Sequence, residues 1–183
     1  MAESGVIVRK LNTIENFGSM DVLCTDKTGT LTIGDVKLDR AVDANGYSSD
    51  EVFRLSYLNA SLQSGMANSL DQAIQSAGKV KCDLSKKVDE IPYDFIRKRL
   101  SIVVSENQSN LIITKGALQK VLEICTSVEI DSHVESLNDK WINQILEKSR
   151  QWGEQGFRIL GVAKKVVRNQ HQYSRLDEAE MTF

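Results

Sequence analysis

The stretch Asp26-Lys27-Thr28-Gly29-Thr30-Leu31-Thr32 decides how this chain is interpreted, and it follows directly on the apolar run Met20–Thr25. That run predicts a short buried strand over Val22–Cys24, and the apolar segment Val6–Val8 predicts a second strand before it. The polar turn then lies at the carboxyl end of a strand, where parallel α/β sheets place their ligand sites. The sequence therefore predicts a partial parallel-sheet segment, residues 1–34, that presents the carboxylate of Asp26.

The residue types in this turn suit the transfer of a phosphoryl group to a carboxylate. Asp26 supplies the attacking oxygen, and Lys27 supplies a local positive charge that offsets the charge of the phosphate. Thr28 offers a carbonyl and a hydroxyl to a magnesium ion or a phosphate oxygen, Gly29 permits the bend, and Thr30 adds a hydroxyl donor. These residues predict a catalytic site for phosphoryl transfer with Mg²⁺ as a cofactor, in which Asp26 and Thr28 are the metal ligands.

Composition excludes several other classes of function. The chain has 183 residues and a net charge of −2, so no basic excess predicts nucleic acid or an anionic membrane as a partner. No apolar run is long enough to span a bilayer, and no signal peptide is present. Cys24, Cys82 and Cys125 lack C-x-x-C spacing and are expected to be reduced. His133 and His171 lack ligand spacing and predict no metal site.

The pattern changes after residue 34, and residues 35–183 are predicted to form a second unit. Capping-box spacings, Ser48 with Glu51 and Ser69 with Gln72, predict helices that end near residues 62 and 77. Further helices are predicted from Gly116 to about residue 125 and over 136–152. Strands are predicted over 87–91, 100–105, 111–114, 128–130 and 157–167. Because the hairpins are local, this unit is expected to be α+β, with a mainly antiparallel sheet flanked by helices.

Several stretches together resemble the P-type ion-pumping ATPases. The turn D-K-T-G-T-L-T resembles their phosphorylation loop, and Ile91–Ser101 resembles the P-F-x-x-x-R-K-R-M-S segment of their nucleotide-binding domains. Lys115–Ala117 is similar to their K-G-A motif, and Gly156–Leu160 is similar to their G-x-R-V-L strand. The order and spacing match over nearly the whole chain. Within the family, the bacterial magnesium-transporting group is most similar, through Val6–Leu11, Asn16–Asp21 and Leu58–Gly65.

The resemblance implies a role for each unit. Residues 1–34 would be the incomplete N-terminal part of the phosphorylation domain, and residues 35–183 the nucleotide-binding domain with a C-terminal segment leading back to it. Tyr93 falls where the family usually has a phenylalanine that stacks on adenine, and Arg158 matches an arginine that reaches the phosphate or ribose. Asp71 replaces a longer glutamate that contacts the adenine edge. The implied nucleotide-binding residues are Asp71, Tyr93, Lys98, Lys115, Gly116 and Arg158.

The resemblance also implies what the parent protein does. It would be an ATP-driven pump for a cation, with Mg²⁺ expected, and its site would lie on the cytoplasmic face of the cell membrane. Its transmembrane helices and remaining cytoplasmic domains would be partners of this segment, which is itself expected to be soluble. The family's later aspartates, which bind the catalytic magnesium, are not in these residues. The isolated chain is therefore expected to bind adenine nucleotide without hydrolysing it.

Two alternatives stay open on the sequence. A soluble haloacid-dehalogenase-type phosphatase resembles the phosphorylation loop but usually places a second aspartate two residues after the nucleophile. Thr28 occupies that position and cannot act as a general acid at neutral pH, whereas ADP is a good leaving group that needs no such acid. The residue choice favours a pump. The second alternative is a non-catalytic nucleotide-sensing module, which would not need Asp26.

Overall fold

The computed structural model describes residues 9–10, 13–27, 35–65, 68–80, 87–106, 108–170 and 172–183. The chain divides into two compact units, Met1–Asp35 and Val36–Phe183. The assignment of residues 1–34 and 35–183 to a phosphorylation domain and a nucleotide-binding domain stays a prediction.

The first unit contains one short helix, α1 (Thr13–Gly18), within its described residues. The apolar run that follows forms neither helix nor strand, and Val22 and Leu23 are 77% and 72% exposed. The predicted buried strand over Val22–Cys24 is therefore wrong. An apolar run becomes a buried strand only where a neighbouring strand takes up its hydrogen bonds and a packed layer covers it. The predicted strand over 6–8 lies outside the described residues.

The second unit is built on a seven-stranded sheet, counted within the described residues. Its strands are β1 (Lys87–Asp94), β2 (Arg99–Glu106), β3 (Ser109–Ala117), β4 (Cys125–Ile130), β5 (His133–Ser136), β6 (Leu160–Val167) and β7 (Met181–Thr182). Their spatial order is β1-β2-β3-β6-β7-β4-β5, and β4 with β7 is the one parallel pair among them. The prediction of a mainly antiparallel sheet flanked by helices is confirmed.

Strands β2 and β3 form the centre of the core because each has a paired neighbour on both sides and packed residues on both faces. Ile102, Val103, Ile112 and Ile113 have no exposed surface. The pleat alternates their direction. Ile102 and Ile113 lie in one cluster with residues of the helix α2 (Asp50–Leu62), whereas Val103 and Ile112 lie in another with Met181.

The other helices of this unit are α3 (Ser69–Ser76), α4 (Leu118–Leu122) and α5 (Asp139–Glu154). Helices α2, α3 and α5 begin after Ser49, Asn68 and Asn138, whose side-chain oxygens each accept a hydrogen bond from the backbone N–H three residues on. The predicted capping boxes on Ser48 and Ser69 are each one residue from the observed cap. The observed cap is one residue after Ser48 in α2 and one residue before Ser69 in α3, and in each case this neighbouring polar residue accepts from an N–H of the first turn.

The region after β3 differs most from the sequence prediction. The helix expected to reach Cys125 ends at Leu122, and Cys125 begins β4. A hairpin turn with positive φ at Asp131 (48°) and Ser132 (66°) then forms β5, so that α5 begins three residues later than predicted. This turn was missed because it contains no glycine or asparagine, the residues that usually signal positive φ. The two-residue β7 is too short for a periodic signal.

Three predictions from composition can be compared with the structure. No helix in the described ranges is long and apolar enough to cross a bilayer. Cys24 and Cys125 are free thiols. Cys82 and His171 lie outside the described residues.

Candidate nucleotide-binding site

The strand register brings four of the predicted nucleotide-binding residues to one end of the sheet. Asp94 in β1 pairs with Arg99 in β2, and Arg99 pairs with Gly116 in β3. In the next strand over, Ala117 pairs with Leu160, the first residue of β6. Consequently Tyr93, Lys98, Gly116 and Arg158 all lie within about two residues of this end, on or beside four adjacent strands.

Tyr93 presents an aromatic ring at the sheet end. Tyr93 is 50% exposed although it belongs to strand β1. The Phe95 ring packs edge-on against it, with 5.4 Å between ring centroids and an interplanar angle of 89°. Phe95 and its neighbour Ile96 are both 86% exposed. An exposed group of large apolar side chains is unusual for a tight turn and is typical of a ligand contact.

The turn that carries Lys98 is built on Asp94. The Asp94 Oδ1 atom accepts hydrogen bonds from the backbone N–H of Ile96 at 2.7 Å and of Arg97 at 3.1 Å. These hydrogen bonds from Arg97 and Ile96 lower the pKa of the Asp94 carboxyl from its ordinary value of 3.8. The Lys98 N–H donates to the Asp94 carbonyl at 2.6 Å, and Lys98 has a positive φ of 49°. The exposed ammonium of Lys98 therefore extends from a turn whose backbone is fixed by hydrogen bonds.

Gly116 lies directly against this turn. A Cβ atom at Gly116 would be 2.4 Å from the Lys98 carbonyl oxygen and 2.6 Å from the Arg99 Cα atom. The same Lys98 carbonyl accepts a hydrogen bond from the Ala117 N–H at 2.9 Å. No side chain fits between these two backbone segments, so a glycine is required for their close approach.

Lys115 and Asp71 form a buried ion pair. Lys115 is 8% exposed and Asp71 is 3% exposed, and the ammonium donates to the Asp71 Oδ1 atom. Burial lowers the pKa of Lys115 from its ordinary value of 10.5, against the opposing hydrogen bond and charge of Asp71. Because a buried charge needs a partner, each of these residues fixes the other.

The remaining acceptor sites of Asp71 are also used within the chain. Its Oδ2 atom accepts from the amides of Gln63 and Asn68, and its backbone N–H donates to the Asn68 side chain at 2.9 Å. The structure thus pairs the Asp71 carboxylate directly with the Lys115 ammonium. Gln63 and Asn68 were not predicted as site residues. Gln63 follows α2 and reaches Asp71 in α3, which a single sequence does not show, whereas Asn68 caps α3 three residues before Asp71, and this spacing was the available signal.

Asn59 is a second residue that the sequence prediction missed. It is fully buried in α2, and its amide donates to the carbonyls of Leu100 at 3.3 Å and Ile113 at 2.8 Å. It thereby fixes the helix on the two strands that carry the site, and Leu100 is the register partner of Lys115. A polar residue between the buried Leu58 and the half-buried Leu62 on the apolar face of the helix was the available signal.

Arg158 lies in the five-residue link, 155–159, between α5 and β6 and is exposed. Within the described residues it makes no hydrogen bond or ion pair, so its five donors face solvent. Together with Lys98 it gives this sheet end two exposed cationic groups in addition to the Tyr93 ring. Such a combination can hold a planar base and an anionic phosphate.

The residues of the predicted phosphorylation loop belong to the first unit. Asp26 and Lys27 are exposed, and the Asp26 carbonyl accepts a hydrogen bond from the Thr25 hydroxyl at 3.3 Å. Thr28 and Thr30 lie outside the described residues. Within the described ranges no three His, Cys, Asp or Glu side chains form a group that could hold a metal ion. The catalytic and metal-binding assignments stay predictions.

Comparison with known proteins identifies the family of the chain. The family model for the P-type ATPase cytoplasmic domain N matches residues 56–183, which contain all six predicted nucleotide-binding residues. The chain belongs to this family.

Individual relatives match almost the whole chain. The "Magnesium-transporting ATPase, P-type 1" of Salmonella typhimurium LT2 is 38% identical over 100% of this chain, and the protein of that name from Escherichia coli K12 is 36% identical over 99%. The "Calcium-transporting ATPase 1" of Bacillus cereus is 32% identical over 90%. The chain spans about a fifth of the length of these relatives, since it covers 21% of each. The domain N assignment and the similarity to magnesium-transporting ATPases confirm the family predicted from the sequence.

Proposed function

We propose that this domain N binds ATP at the sheet end formed by β1, β2, β3 and β6. The observation that carries the proposal is the register, since Tyr93, Lys98, Gly116 and Arg158 lie at one end of the sheet although they come from three separate segments. Adenine would stack on the Tyr93 ring, because every nucleobase has a flat face that can stack on an exposed aromatic side chain. Phe95 packs edge-on against that ring and limits its rotation.

The charged groups would orient the rest of the nucleotide. Lys98 and Arg158 are exposed cations on either side of the close approach at Gly116, and they suit the phosphates or ribose. Lys115 is nearly buried and paired with Asp71, so it would act at the back of the pocket, where backbone and base meet. We assign Asp71 the role of holding Lys115 in place. Any effect of Asp71 on the adenine edge would therefore be indirect, through that lysine.

In the whole protein, the Asp26 carboxylate would accept the terminal phosphoryl group of ATP. Mg²⁺, when bound, would neutralise the charge that develops on the transferring group. Asp26 offers carboxylate oxygens, which are the ligand type Mg²⁺ prefers, and its exposure fits an acceptor that must be reached. Lys27, Thr28 and Thr30 would assist, and because Thr28 is not an acid, the aspartyl phosphate should hydrolyse slowly.

We further propose that the whole protein is an ATP-driven pump that moves a cation across a membrane. The printed names of the relatives from Salmonella typhimurium and Escherichia coli favour Mg²⁺ as that cation. This domain would then lie on the cytoplasmic face and act with the transmembrane helices and the other cytoplasmic domains of the same polypeptide. The chain alone would bind ATP without hydrolysing it.

Titration with ATP, followed by backbone amide shifts in ¹⁵N-labelled protein, tests the binding site. Shifts should be concentrated at Tyr93, Lys98, Gly116 and the link that contains Arg158. The affinity of the Tyr93→Ala variant should fall about 5- to 100-fold, which corresponds to stacking of about 1–3 kcal/mol, whereas Tyr93→Phe keeps the ring and should bind nearly as wild type. No shift at these residues in saturating ATP would refute the proposed site.

An internal control tests the role of charge. Arg158 and Arg168 are both exposed arginines, and they flank opposite ends of the same strand, Leu160–Val167. Arg158→Ala should weaken ATP binding several-fold, whereas Arg168→Ala removes the same charge at the far end and should have little effect. Equal losses in both variants would show that net charge, and not the sheet end, attracts ATP.

Incubation with γ-³²P-labelled ATP should give no acid-stable label on Asp26 in the chain alone.

A further inference from the structure

A buried cluster of charged side chains lies behind the proposed nucleotide-contacting groups and has no part in the function proposed so far. Its centre is the Glu178 carboxylate, whose side chain has no exposed surface. Glu178 Oε2 accepts from Arg97 Nη1 and from Arg99 Nε, the latter at 3.0 Å, and Glu178 Oε1 accepts from the Ser101 hydroxyl at 2.6 Å. The Ser101 hydroxyl in turn bonds Thr114 at 2.6 Å.

This cluster is costly to form unless it fixes a particular arrangement. Two guanidinium groups and a carboxylate lose water on folding, and well-packed apolar residues often stabilise a fold as much as such groups do. The partners are also distant in sequence, since Arg97 and Arg99 are 81 and 79 residues from Glu178. Buried charge of this kind best serves to hold chain segments in one register.

Arg97 transmits this anchoring to both neighbours of Tyr93. Its Nη2 atom donates to the Pro92 carbonyl at 2.8 Å, and its Nε atom lies 3.5 Å from Asp94 Oδ2. Pro92 and Asp94 flank Tyr93 directly, so one guanidinium group, held by Glu178, donates a hydrogen bond to the residue before the ring and forms an ion pair with the residue after it. Because a planar guanidinium directs its donors in fixed directions, it sets the orientation of this backbone.

Arg99 extends the same anchoring to the glycine contact. Its Nη1 atom donates to the Lys120 carbonyl at 3.0 Å, in the helix that follows Gly116. The Arg99 Cα atom is one of the two backbone atoms that leave no room for a side chain at Gly116. Glu178 therefore fixes both sides of the sheet end, the turn through Arg97 and the Gly116 approach through Arg99.

From this geometry we infer that Glu178 is a positioning residue for nucleotide binding, which holds the turn 93–98 and the Gly116 approach in the arrangement that receives ATP. The inference rests on the proposed function for its effect on ATP affinity. Glu178 does not touch the nucleotide in this scheme, since it is buried behind Arg97 and Arg99. Its segment ends in β7 three residues later, so the same contact ties the C-terminal strand to the nucleotide site.

The structure supplies a matched control for testing this inference. Asp89 in β1 also ties the C-terminal segment to the sheet, because its Oδ2 atom accepts from the Tyr173 N–H at 2.7 Å. Asp89 lies four residues before Tyr93, about 13 Å along the strand. Glu178→Gln and Asp89→Asn each replace one carboxylate by the amide of the same shape. The first weakens the anchoring at the nucleotide end, and the second weakens it away from that end.

Two measurements on the 183-residue chain test the inference. In Glu178→Gln, amide hydrogen exchange over 95–98 without nucleotide should speed up at least tenfold, and the ATP Kd should rise at least fivefold. In Asp89→Asn both quantities should stay within twofold of wild type, whatever the change in Tm. If Glu178→Gln does not fold, Arg97→Lys keeps the charge, loses the forked geometry, and should show the same two effects.

The results separate this inference from the proposed function. If Glu178→Gln and Asp89→Asn change the ATP Kd and the exchange rates equally, Glu178 is a structural residue and the inference is overturned. If wild-type protein does not bind ATP, the proposed function fails together with the predicted change in Kd. The exchange rates over 95–98 would then still decide whether Glu178 holds the turn.

Discussion

Replacement of Gly116 by alanine should destabilise the domain, and the structure gives the size of the effect. The added Cβ atom would be 2.4 Å from the Lys98 carbonyl oxygen and 2.6 Å from the Arg99 Cα atom. Ordinary contacts of this kind are about 3.5 Å, so each falls short by about 1 Å. Both obstructing atoms belong to the backbone, and Arg99 is fixed by Glu178 and by the Lys120 carbonyl. The strands must therefore separate locally.

We expect the free energy of unfolding of Gly116→Ala to fall by about 2 kcal/mol. Overpacking of a rigid site costs about 1–3 kcal/mol, and the backbone position of the obstructing atoms places Gly116 at the upper end. The lower entropy of the unfolded alanine chain offsets about 0.4–1 kcal/mol. For a unit of this size, the corresponding decrease in Tm is about 4–8 °C.

Urea denaturation, followed by the fluorescence of Trp141 and Trp152, measures this effect. Gly153→Ala provides the control, because Gly153 lies in α5 with no atom within 4 Å of the added Cβ. Alanine there should stabilise the protein by about 0.5 kcal/mol, since it has the higher helix propensity. The reasoning would be refuted if the free energy of unfolding of Gly116→Ala were within about 0.5 kcal/mol of the wild-type value, because the two backbone segments could then separate at little cost.

Three further results are expected. Asp71→Ala leaves the Lys115 ammonium buried without its carboxylate and should cost about 3–5 kcal/mol in urea denaturation; Asp71→Ala with Lys115→Met should recover much of this loss, and strictly additive effects would contradict the pairing. Burial raises the pKa of the Cys125 thiol to about 12, so iodoacetamide at pH 8 should alkylate the exposed Cys24 and leave Cys125 unmodified until the protein is unfolded, as peptide mass spectrometry would show. The hydrogen bond from Arg54 lowers the pKa of Glu51 from its ordinary value of 4.5. The free energy of unfolding should therefore fall as the pH drops below about 4.5, and Glu51→Gln should make this dependence on pH weaker. An unchanged pH profile in Glu51→Gln would exclude a contribution of this ion pair to stability.

Local sequence determined the elements that depend on their own residues. The apolar runs 100–105 and 111–114 predicted β2 to within one residue and β3 to within three residues at each end, because a strand between two others needs apolar side chains on both faces. The same pattern failed at Val22–Cys24, where no paired strand is present in the described residues. An apolar run states what a segment can form, and its neighbours decide whether it forms it.

Long-range contacts were beyond the sequence. Asp71 was predicted to touch a nucleotide, yet its oxygens are taken up by Lys115, Gln63 and Asn68, and Lys115 is 44 residues away. The role of Glu178 was missed for the same reason, since nothing near it in the chain marks it as different from any other surface glutamate. Pairing of charges across a fold depends on distance in space, which a single sequence does not contain.

By itself, the sequence determined the residue types on which the two predicted sites rest. These are a loop at Asp26 in the first unit that resembles a phosphorylation loop and, in the second unit, an aromatic ring at Tyr93, cations at Lys98 and Arg158, and a glycine at 116. Only the tertiary structure decided that the last four share one end of a sheet, that Asp71 serves Lys115, and that Glu178 anchors the turn. The physical reason is that residue type fixes which interactions a side chain can make, whereas strand register and burial fix which of them it does make.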